Sequence, residues 1–391
     1  MGPLDGIRIL ELSQGVPGPF ATRLLAGFGA HVIKVEPLSG DLGRRLPPLA
    51  SDGAGGEFSP LFLYLNAGKH SIALDAATAA GATVVCRLAA RADAIVTSPD
   101  ALNPGLDQLR EAAPAAVIAS VSGFGNTGPD AGRRSNDLMA YARSGWASLT
   151  GEPGREPLKG PGHQASFHAG SALVMTILAG LLQRQRDGVG PMADVAMLDA
   201  LAAIGAPALV QSQFNGHDNT RRRSGFPVGP TPAADGYFVL TTSRAHFWRD
   251  AMNELGLPEL AQDVRFNDPA ARQDLYHEVA PVVEARLAQR PRAELFHRLG
   301  LLRVPGGMVV EVDELFDDPQ LQAREFFETP PGREAASPNL SMPGQPFAMS
   351  RTPWQTPAAA PALGEHTDFV LEAAGYSVAE IAALRESGVV A

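Results

Sequence analysis

Short apolar runs alternate with helical patterns through the first part of the chain, and this alternation restricts the fold more than any other feature. The run from Ile7 to Leu12 is rich in β-branched residues and is followed by a turn rich in glycine and proline. A helical pattern begins at Ala21, and the next strand pattern is His31 to Val35. One helix and two strands follow, at Thr83 to Ala90, Ala94 to Val96 and Ala116 to Val121. The first half is therefore predicted to be α/β, with a parallel sheet and crossover helices.

Two loops of this predicted sheet are candidates for a ligand site. Parallel sheets bind ligands in the loops beyond the carboxyl ends of their strands. The loops in those places are Ser13 to Phe20 and Ser122 to Pro129, and both are rich in glycine and proline. We expect them to line the same site.

The rest of the chain predicts a second, smaller α/β domain. A basic segment rich in glycine and proline, Arg221 to Thr231, separates the large domain from a strand at Gly236 to Leu240 and from helical periodicity between Phe247 and Leu302. The proline-rich segment from Phe326 to Pro361 excludes a long helix and is expected to run extended back to the first domain. A helical pattern returns from Thr367 to Ser387. The predicted organisation is a large domain over 1–220, a small domain over 221–325, and a linker with a C-terminal return over 326–391.

Composition excludes several classes of function. The formal net charge of −10 over 391 residues argues against binding to nucleic acid or to an anionic membrane surface. The single Cys86 forms no internal disulfide, and the start lacks a secretory pattern, so a cytoplasmic location is expected. The apolar segment from Ala169 to Leu182 is too short to span a bilayer and is predicted to be a buried helix. The nine histidines show no metal-ligand spacing, so no metal site is expected.

Seven motifs occur in an order that points to one enzyme family. They are Pro3 to Leu12, Gly18 to Thr22, Gly29 to Glu36, Leu65 to Asp75, Ser122 to Pro129, Ala193 to Ala200 and Leu363 to Thr367. Together they resemble the family III CoA-transferases, also called the CaiB/BaiF family. The resemblance implies a Rossmann-like large domain with a parallel sheet, a smaller α/β domain and two subunits interlocked like links of a chain. It also implies acyl-CoA substrates and transfer of CoA between carboxylic acids.

The position of the family's catalytic aspartate is occupied by a serine. In the resembled family this aspartate lies four residues before a glycine that opens a long apolar helix, and it attacks the thioester to form a mixed anhydride. The matching glycine here is Gly170, which places Ser166 at the aspartate position. No acidic residue lies between Glu156 and Asp187, so a shift in register does not restore a carboxylate.

Two interpretations of Ser166 remain open at this point. With His163 or His168 as a base, its hydroxyl would attack a thioester, which would make the chain an acyltransferase or thioesterase. In the structural interpretation Ser166 is an N-cap of the following helix and both histidines are ordinary loop residues. Racemase chemistry is not expected, because Asn136 stands where racemases of the family have a histidine. Asp137 matches an acidic position of the family and is a further catalytic candidate, although a helix-capping role is the simpler expectation.

The resemblance also supplies candidates for CoA binding. These are Gln14, Val16, Arg44, Asn66, Lys69, Gly123, Phe124 and Gly125. Relatives often have histidine or arginine at the position of Gln14, and the segment Ile95 to Asp100 lacks an Asn-Phe pair and an arginine that they carry. Arg44, Asn66 and Lys69 are compatible both with phosphate contacts and with structural roles. The sequence therefore predicts a weakened CoA site.

The leading hypothesis is that this chain is the non-catalytic subunit of a heteromeric family III CoA-transferase, with the catalytic aspartate supplied by a homologous partner subunit. The alternative is a self-sufficient acyl-CoA enzyme, a transferase, thioesterase or isomerase, that uses Ser166 with a histidine and pairs with itself as an interlocked homodimer. A third hypothesis is a binding protein that has kept only the fold. Loss of activity in Ser166→Ala would favour the alternative, and a gain of transferase activity in Ser166→Asp would favour the leading hypothesis.

Overall fold

The computed structural model describes residues 2–51, 56–98, 104–152, 154–215, 229–331 and 341–391. The chain divides into two compact units. One comprises Met1–Asn219 with Glu325–Ala391, and the other comprises Thr220–Arg324. Most of the basic segment that the sequence suggested as a linker lies outside the described residues.

The strands and helices follow the chain in this order. The strands are β1 (Arg8–Glu11), β2 (His31–Glu36), β3 (Ala50–Ser51), β4 (Glu57–Phe58), β5 (Lys69–Ala73), β6 (Ala94–Thr97), β7 (Val117–Ser122), β8 (Met192–Ala196), β9 (Thr231–Ala233), β10 (Gly236–Leu240), β11 (Gly306–Val309), β12 (Phe327–Glu328) and β13 (Met342–Pro343). The helices are α1 (Pro17–Gly27), α2 (Pro60–Asn66), α3 (Ala79–Ala89), α4 (Leu106–Ala112), α5 (Asp137–Arg143), α6 (Trp146–Leu149), α7 (Gln164–Asp187), α8 (Met197–Ile204), α9 (Ala206–Asn215), α10 (Ala245–Glu254), α11 (Pro258–Gln262), α12 (Pro269–Asp274), α13 (Tyr276–Leu287), α14 (Arg292–Leu301), α15 (Pro319–Ala323), α16 (Thr367–Ala373) and α17 (Val378–Glu386). Short 3₁₀ turns lie at Leu42–Arg45, Val264–Asn267 and Asp313–Asp317.

A six-stranded parallel sheet forms the centre of the first unit, and the α/β prediction is confirmed. The strand order is β5-β2-β1-β6-β7-β8. From β1 the chain builds outward on one side through β2 and β5, and then on the other side through β6, β7 and β8. The order therefore reverses between β1 and β6, which is where doubly wound sheets leave a crevice for ligands. Leu10 of β1 lies beside Ile33 of β2 and Ile95 of β6, and this register places apolar side chains in the core.

Several elements differ in extent from the sequence expectation. The helix expected from Thr83 begins at Ala79, because the Thr78 side chain accepts a hydrogen bond from the Gly81 N–H and caps an earlier turn. The C-terminal helical pattern is interrupted at Gly375, whose φ of 87° favours glycine, and it forms α16 and α17. Local capping and turn chemistry decided both differences.

Helix α7 is a core helix of the first unit. In the described ranges it is the only helix long and apolar enough to cross a membrane. Its Leu173 and Ile177 are fully buried in one of the two apolar clusters that cover the sheet, whereas Met175 and Leu182 on the other side are exposed. The predicted buried segment is therefore part of a longer helix that buries one face.

The C-terminal return packs on the edge of the same sheet. Val370, Leu371 and Ile381 of α16 and α17 belong to the apolar cluster that contains Leu10 and Ile72. In the second unit, a three-stranded antiparallel sheet in the order β11-β10-β9 packs with helices around an apolar cluster of its own.

Three histidines meet where the C-terminal return contacts the sheet. The ring centres of His31 and His70 are 4.6 Å apart, and those of His70 and His366 are 4.5 Å apart. Burial, with the neighbouring His31 and His366, lowers the pKa of His70 to about 4, while Glu365 acts in the opposite direction. The native packing therefore requires a neutral His70.

We expect the stability of the fold to fall as the pH is lowered from 6.5 towards 4. The pKa of His70 is lower in the folded protein than its ordinary value of 6.5, so the unfolded chain binds more protons in this window. Because His70 is partly solvated, the loss attributable to it is about 1 to 2 kcal/mol. Urea unfolding gives the free energy of unfolding at pH 7 and pH 4.5. The contribution of His70 is the change in this free energy between the two pH values in the wild type minus the change in His70→Gln. The control is the exposed His297→Gln. An equal pH dependence in the wild type and His70→Gln would contradict the prediction.

Candidate active site

A cavity of about 510 Å³ lies at the carboxyl ends of the central strands of the first unit. Its walls are the loop after β1, Ser98 after β6, the end of β7 with the loop that follows it, the first turns of α5 and α7, and Met197 at the start of α8. Leu42, Leu46, Asp130 and Arg133 complete much of the rim. Both glycine- and proline-rich loops expected to form a ligand site contribute to this lining.

Eight of the twelve candidate site residues lie on the wall of the cavity. They are Gln14, Val16, Gly123, Phe124, Gly125, Asp137, His163 and Ser166. The other four, Arg44, Asn66, Lys69 and His168, lie outside this lining. The chemical role of each residue in catalysis or CoA binding stays a prediction.

Ser166 is the third residue of α7 rather than its N-cap. The helix begins at Gln164, and its cap residue His163 makes no side-chain capping bond. The Ser166 N–H is instead satisfied by Asp137, whose Oδ1 accepts it at 2.8 Å. The Ser166 hydroxyl is buried and contacts the thioether sulfur of Met197 at 3.6 Å.

The two histidine candidates lie in different surroundings near Ser166. His168 lies two residues after Ser166, about half a turn further along α7, and its Nδ1 is 2.7 Å from the carbonyl oxygen of Gln164. It borders a separate aromatic depression with Phe20 and Phe167. His163 borders the main cavity, but within the described ranges neither imidazole is hydrogen-bonded to the Ser166 hydroxyl. A nucleophilic serine needs such a base.

Asp137 connects three segments of the cavity wall. It is the first residue of α5 and is only 9 % exposed. One carboxylate oxygen binds the Ser166 N–H, and the other lies 3.1 Å from the ammonium of Lys159. Lys159 also donates to the carbonyl oxygens of Gly160 and Gly162. Asp137 therefore holds the start of α7 and the preceding loop against α5, and its Oδ2, which accepts no hydrogen bond from the described residues, is held by the ion pair with Lys159 alone.

A buried charge network lies directly behind the first loop of the cavity. Glu11 accepts from the ammonium groups of Lys34 at 2.9 Å and Lys69 at 2.8 Å, and Lys34 also pairs with Asp41 at 2.6 Å. All four side chains are fully buried. Burial alone would raise the pKa of Glu11, but the two lysines lower it to about 2. The two lysines therefore keep Glu11 ionised.

Asp41 connects this network to the loop between β1 and α1, which lines the cavity. Its Oδ1 accepts hydrogen bonds from the N–H groups of Gly15 at 3.0 Å and Gly43 at 2.6 Å. The side-chain oxygen of Gln14 accepts from the Leu42 N–H at 3.3 Å. The loop between β1 and α1 is therefore tied to the segment after β2 by polar contacts behind the cavity wall.

The residues proposed to contact phosphate that lie outside the cavity lining bind other side chains of this region. Arg44 forms two hydrogen bonds of 2.8 Å with Glu36 and stacks on Phe62. Asn66 accepts from Lys69 at 3.0 Å inside the network. Sequence reasoning missed Glu11, Lys34 and Asp41 as determinants of the site, although charged residues inside the apolar runs of β1 and β2 were a visible signal.

Comparison with known proteins identifies the family. The sequence matches the family model described as CoA-transferase family III over residues 4–367. The chain belongs to CoA-transferase family III. The family III reaction moves CoA between carboxylic acids, and CoA thioesters are its substrates. In the described part of the chain, no group of histidine, cysteine or acidic residues has the arrangement of a metal site.

Similar proteins cover nearly all of the chain. The succinate–glutarate CoA-transferase of Agrobacterium fabrum is 33% identical over 383 residues, which are 94% of this chain and 95% of that protein. Subunit BbsE of the succinyl-CoA:(R)-benzylsuccinate CoA-transferase of Thauera aromatica is 32% identical over 401 residues, or 98% and 97% of the two chains. A crystal structure of a CaiB/BaiF family protein from Brucella suis superposes with a TM-score of 0.85 at 30% identity, covering 95% of this chain and 99% of that chain.

We expect Asp137→Ala to destabilise this family III chain by about 1 to 3 kcal/mol, because it leaves the Ser166 N–H and Lys159 without their acceptor. Asp137→Asn keeps an oxygen for the Ser166 N–H and should cost less. Urea unfolding curves measure both. Asp107→Ala, an exposed acid in the first turn of α4, is the control. Equal stability of Asp137→Ala and the wild type would contradict the structural role.

The charge network predicts a coupled pair of substitutions. Asp41→Ala should destabilise the protein by about 3 to 5 kcal/mol, because it removes one of the two carboxylates that Lys34 contacts. The double variant Asp41→Ala/Lys34→Met removes both charges and leaves Glu11 paired with Lys69, so it should be more stable than the sum of the single variants predicts. Chemical unfolding of the four proteins in the cycle gives the coupling energy. If the unfolding free-energy changes of the two single variants add up to that of the double variant, Asp41 and Lys34 do not interact as proposed.

Proposed function

We propose that this chain is the non-catalytic subunit of a heteromeric family III CoA-transferase. In this proposal its cavity holds a CoA thioester or contributes to a shared site, and a homologous partner subunit supplies the aspartate that carries the acyl group. The observation that carries the proposal is the environment of Ser166, the residue at the position of the family's nucleophile.

The contacts of Ser166 give it no means of replacing an aspartate. Its hydroxyl lies against the weakly accepting Met197 sulfur, and no base is bound to it among the described residues. Asp137 is the carboxylate that contacts Ser166. One of its oxygens accepts the hydrogen bond from the Ser166 N–H, and the other lies 3.1 Å from the Lys159 ammonium. A free carboxylate is required to attack a thioester and form an anhydride.

The cavity nevertheless retains features that suit a CoA thioester. The glycines at 123 and 125 line the cavity, and at Gly125 the φ of 89° favours glycine. A Cβ at Gly123 would collide with the Ser135 side chain, at 1.8 Å from its Oγ. The exposed Arg133 in the lining pairs with Asp130 through its Nε, and the rest of its guanidinium group would contact phosphate groups. These features support binding of CoA without supporting catalysis.

The relative from Thauera aromatica supports a heteromeric assembly. It matches this chain over nearly its full length and is named as one subunit of a succinyl-CoA:(R)-benzylsuccinate CoA-transferase. A division of labour between homologous subunits is therefore compatible with a chain of this family and this size. Loss of the nucleophile from one subunit is tolerated when the other retains it.

The test is reconstitution with a homologous family III chain from the same genome. We expect the purified chain alone to transfer no CoA, and the co-expressed pair to be active and to run as one complex in native mass spectrometry. In the pair, Ser166→Ala should keep activity within about twofold, since the hydroxyl takes no part in chemistry. Removal of the partner's aspartate should abolish transfer.

The alternative, a self-sufficient enzyme that uses Ser166 with a histidine, makes the opposite prediction. A homodimer of the chain that turns over acyl-CoA, and that loses this activity in Ser166→Ala, would overturn the proposal. Ser166→Asp is the complementary variant. Transferase activity that appears only in this variant of the isolated chain would support the proposal of a non-catalytic subunit. The wild-type protein purified in parallel is the matched control.

A further inference from the structure

The part of the cavity around Ser166 contains one cation and one anion, and the two are already paired. Lys159 is 27 % exposed, and its ammonium lies 3.1 Å from the Asp137 carboxylate. The same ammonium donates to the carbonyl oxygens of Gly160 and Gly162. Because the Asp137 carboxylate neutralises the charge of Lys159, the pair offers no net positive charge to a carboxylate of the substrate.

The other cation of the lining lies at the solvent-facing rim. Arg133 is 69 % exposed and pairs with Asp130 at 2.8 Å, and Asp130 also accepts from Arg143. This group carries one net positive charge in a solvated position, which suits the phosphates of CoA rather than an acyl group. Within the described lining, no unpaired cation remains for a carboxylate carried at the end of the acyl chain.

The remaining lining combines uncharged polar side chains, among them Ser135 and Asn136, with large apolar ones. Val16, Val121 and Met197 are buried in the wall. Leu138 and Leu42 also line the cavity, yet they are 54 % and 67 % exposed. Large exposed leucines at the mouth of a cavity favour an apolar ligand that covers them.

We infer that the acyl group accepted by this cavity is that of an apolar monocarboxylic acid, and that thioesters of dicarboxylic acids are excluded. The inference rests on the proposed function, since it requires that the cavity bind a CoA thioester. A second carboxylate would lie among the leucines and beside Asp137 with no free cation, so it would lose its hydration and be repelled.

The experiment compares two thioesters that differ only at the end of a four-carbon chain. Butyryl-CoA ends in a methyl group and succinyl-CoA ends in a carboxylate. Titration calorimetry of the full-length chain with each thioester, and with free CoA as the reference, gives the dissociation constants. We expect butyryl-CoA to bind at least tenfold more tightly than succinyl-CoA, which corresponds to about 1.4 kcal/mol.

A pair of substitutions at one exposed position tests the cause of this selectivity. Leu138→Lys adds a free cation beside the acyl space, and Leu138→Gln is a control of similar length without the charge. We expect Leu138→Lys to improve the binding of succinyl-CoA relative to butyryl-CoA by at least threefold over Leu138→Gln. A ratio that stays equal in the two variants would overturn the electrostatic explanation of the selectivity.

The outcomes separate this inference from the proposal on which it rests. Succinyl-CoA that binds the wild-type chain as tightly as butyryl-CoA would overturn the inference and leave the proposed function standing. Absence of binding for both thioesters and for free CoA would overturn CoA binding by this cavity, and the inference with it. The first comparison uses the wild-type chain, so it holds even if a Leu138 variant fails to fold.

Discussion

The buried network of Glu11, Lys34, Lys69 and Asp41 is the constraint on which the geometry of the site depends. It joins the end of β1 to the interior of β2 and the start of β5, and Asp41 extends it to the backbone of Gly15 in the cavity wall. Replacing a buried ion pair with apolar residues is often neutral, so the network is not required for stability as such. The network instead fixes an orientation. Each charged side chain must face its partner, and this holds the loop between β1 and α1 in one position.

The start of α7 is held in place by contacts of its backbone. Asp137 accepts the Ser166 N–H and pairs with Lys159, and both contacts are independent of the side chain at position 166. An exchange of that side chain therefore leaves the backbone of the site in place. The proposed supporting role requires only that the shape of the cavity be kept, and these contacts keep it.

Much of the fold was predictable because parallel strands that are buried on both faces have a strong sequence signal. The strands at residues 8–11, 31–36, 94–97 and 117–122 agree with the predicted runs within two residues at each end. The candidate site was predictable in part, because the loops after β1 and β7 follow from the position of their strands. The placement of Arg44, Asn66 and Lys69 was not, since a charged side chain near a strand end has the same local pattern whether it faces a ligand or a buried carboxylate.

The sequence by itself determined the α/β class and the family. These depend on local periodicity and on motifs that are contiguous in the chain. Only the tertiary structure decided that Ser166 contacts Met197 and Asp137, that His168 lies away from it, and that Lys34 and Lys69 share Glu11. The physical reason is that charge pairing and burial depend on side chains from distant segments, whose distances are set by the packing of the sheet and helices.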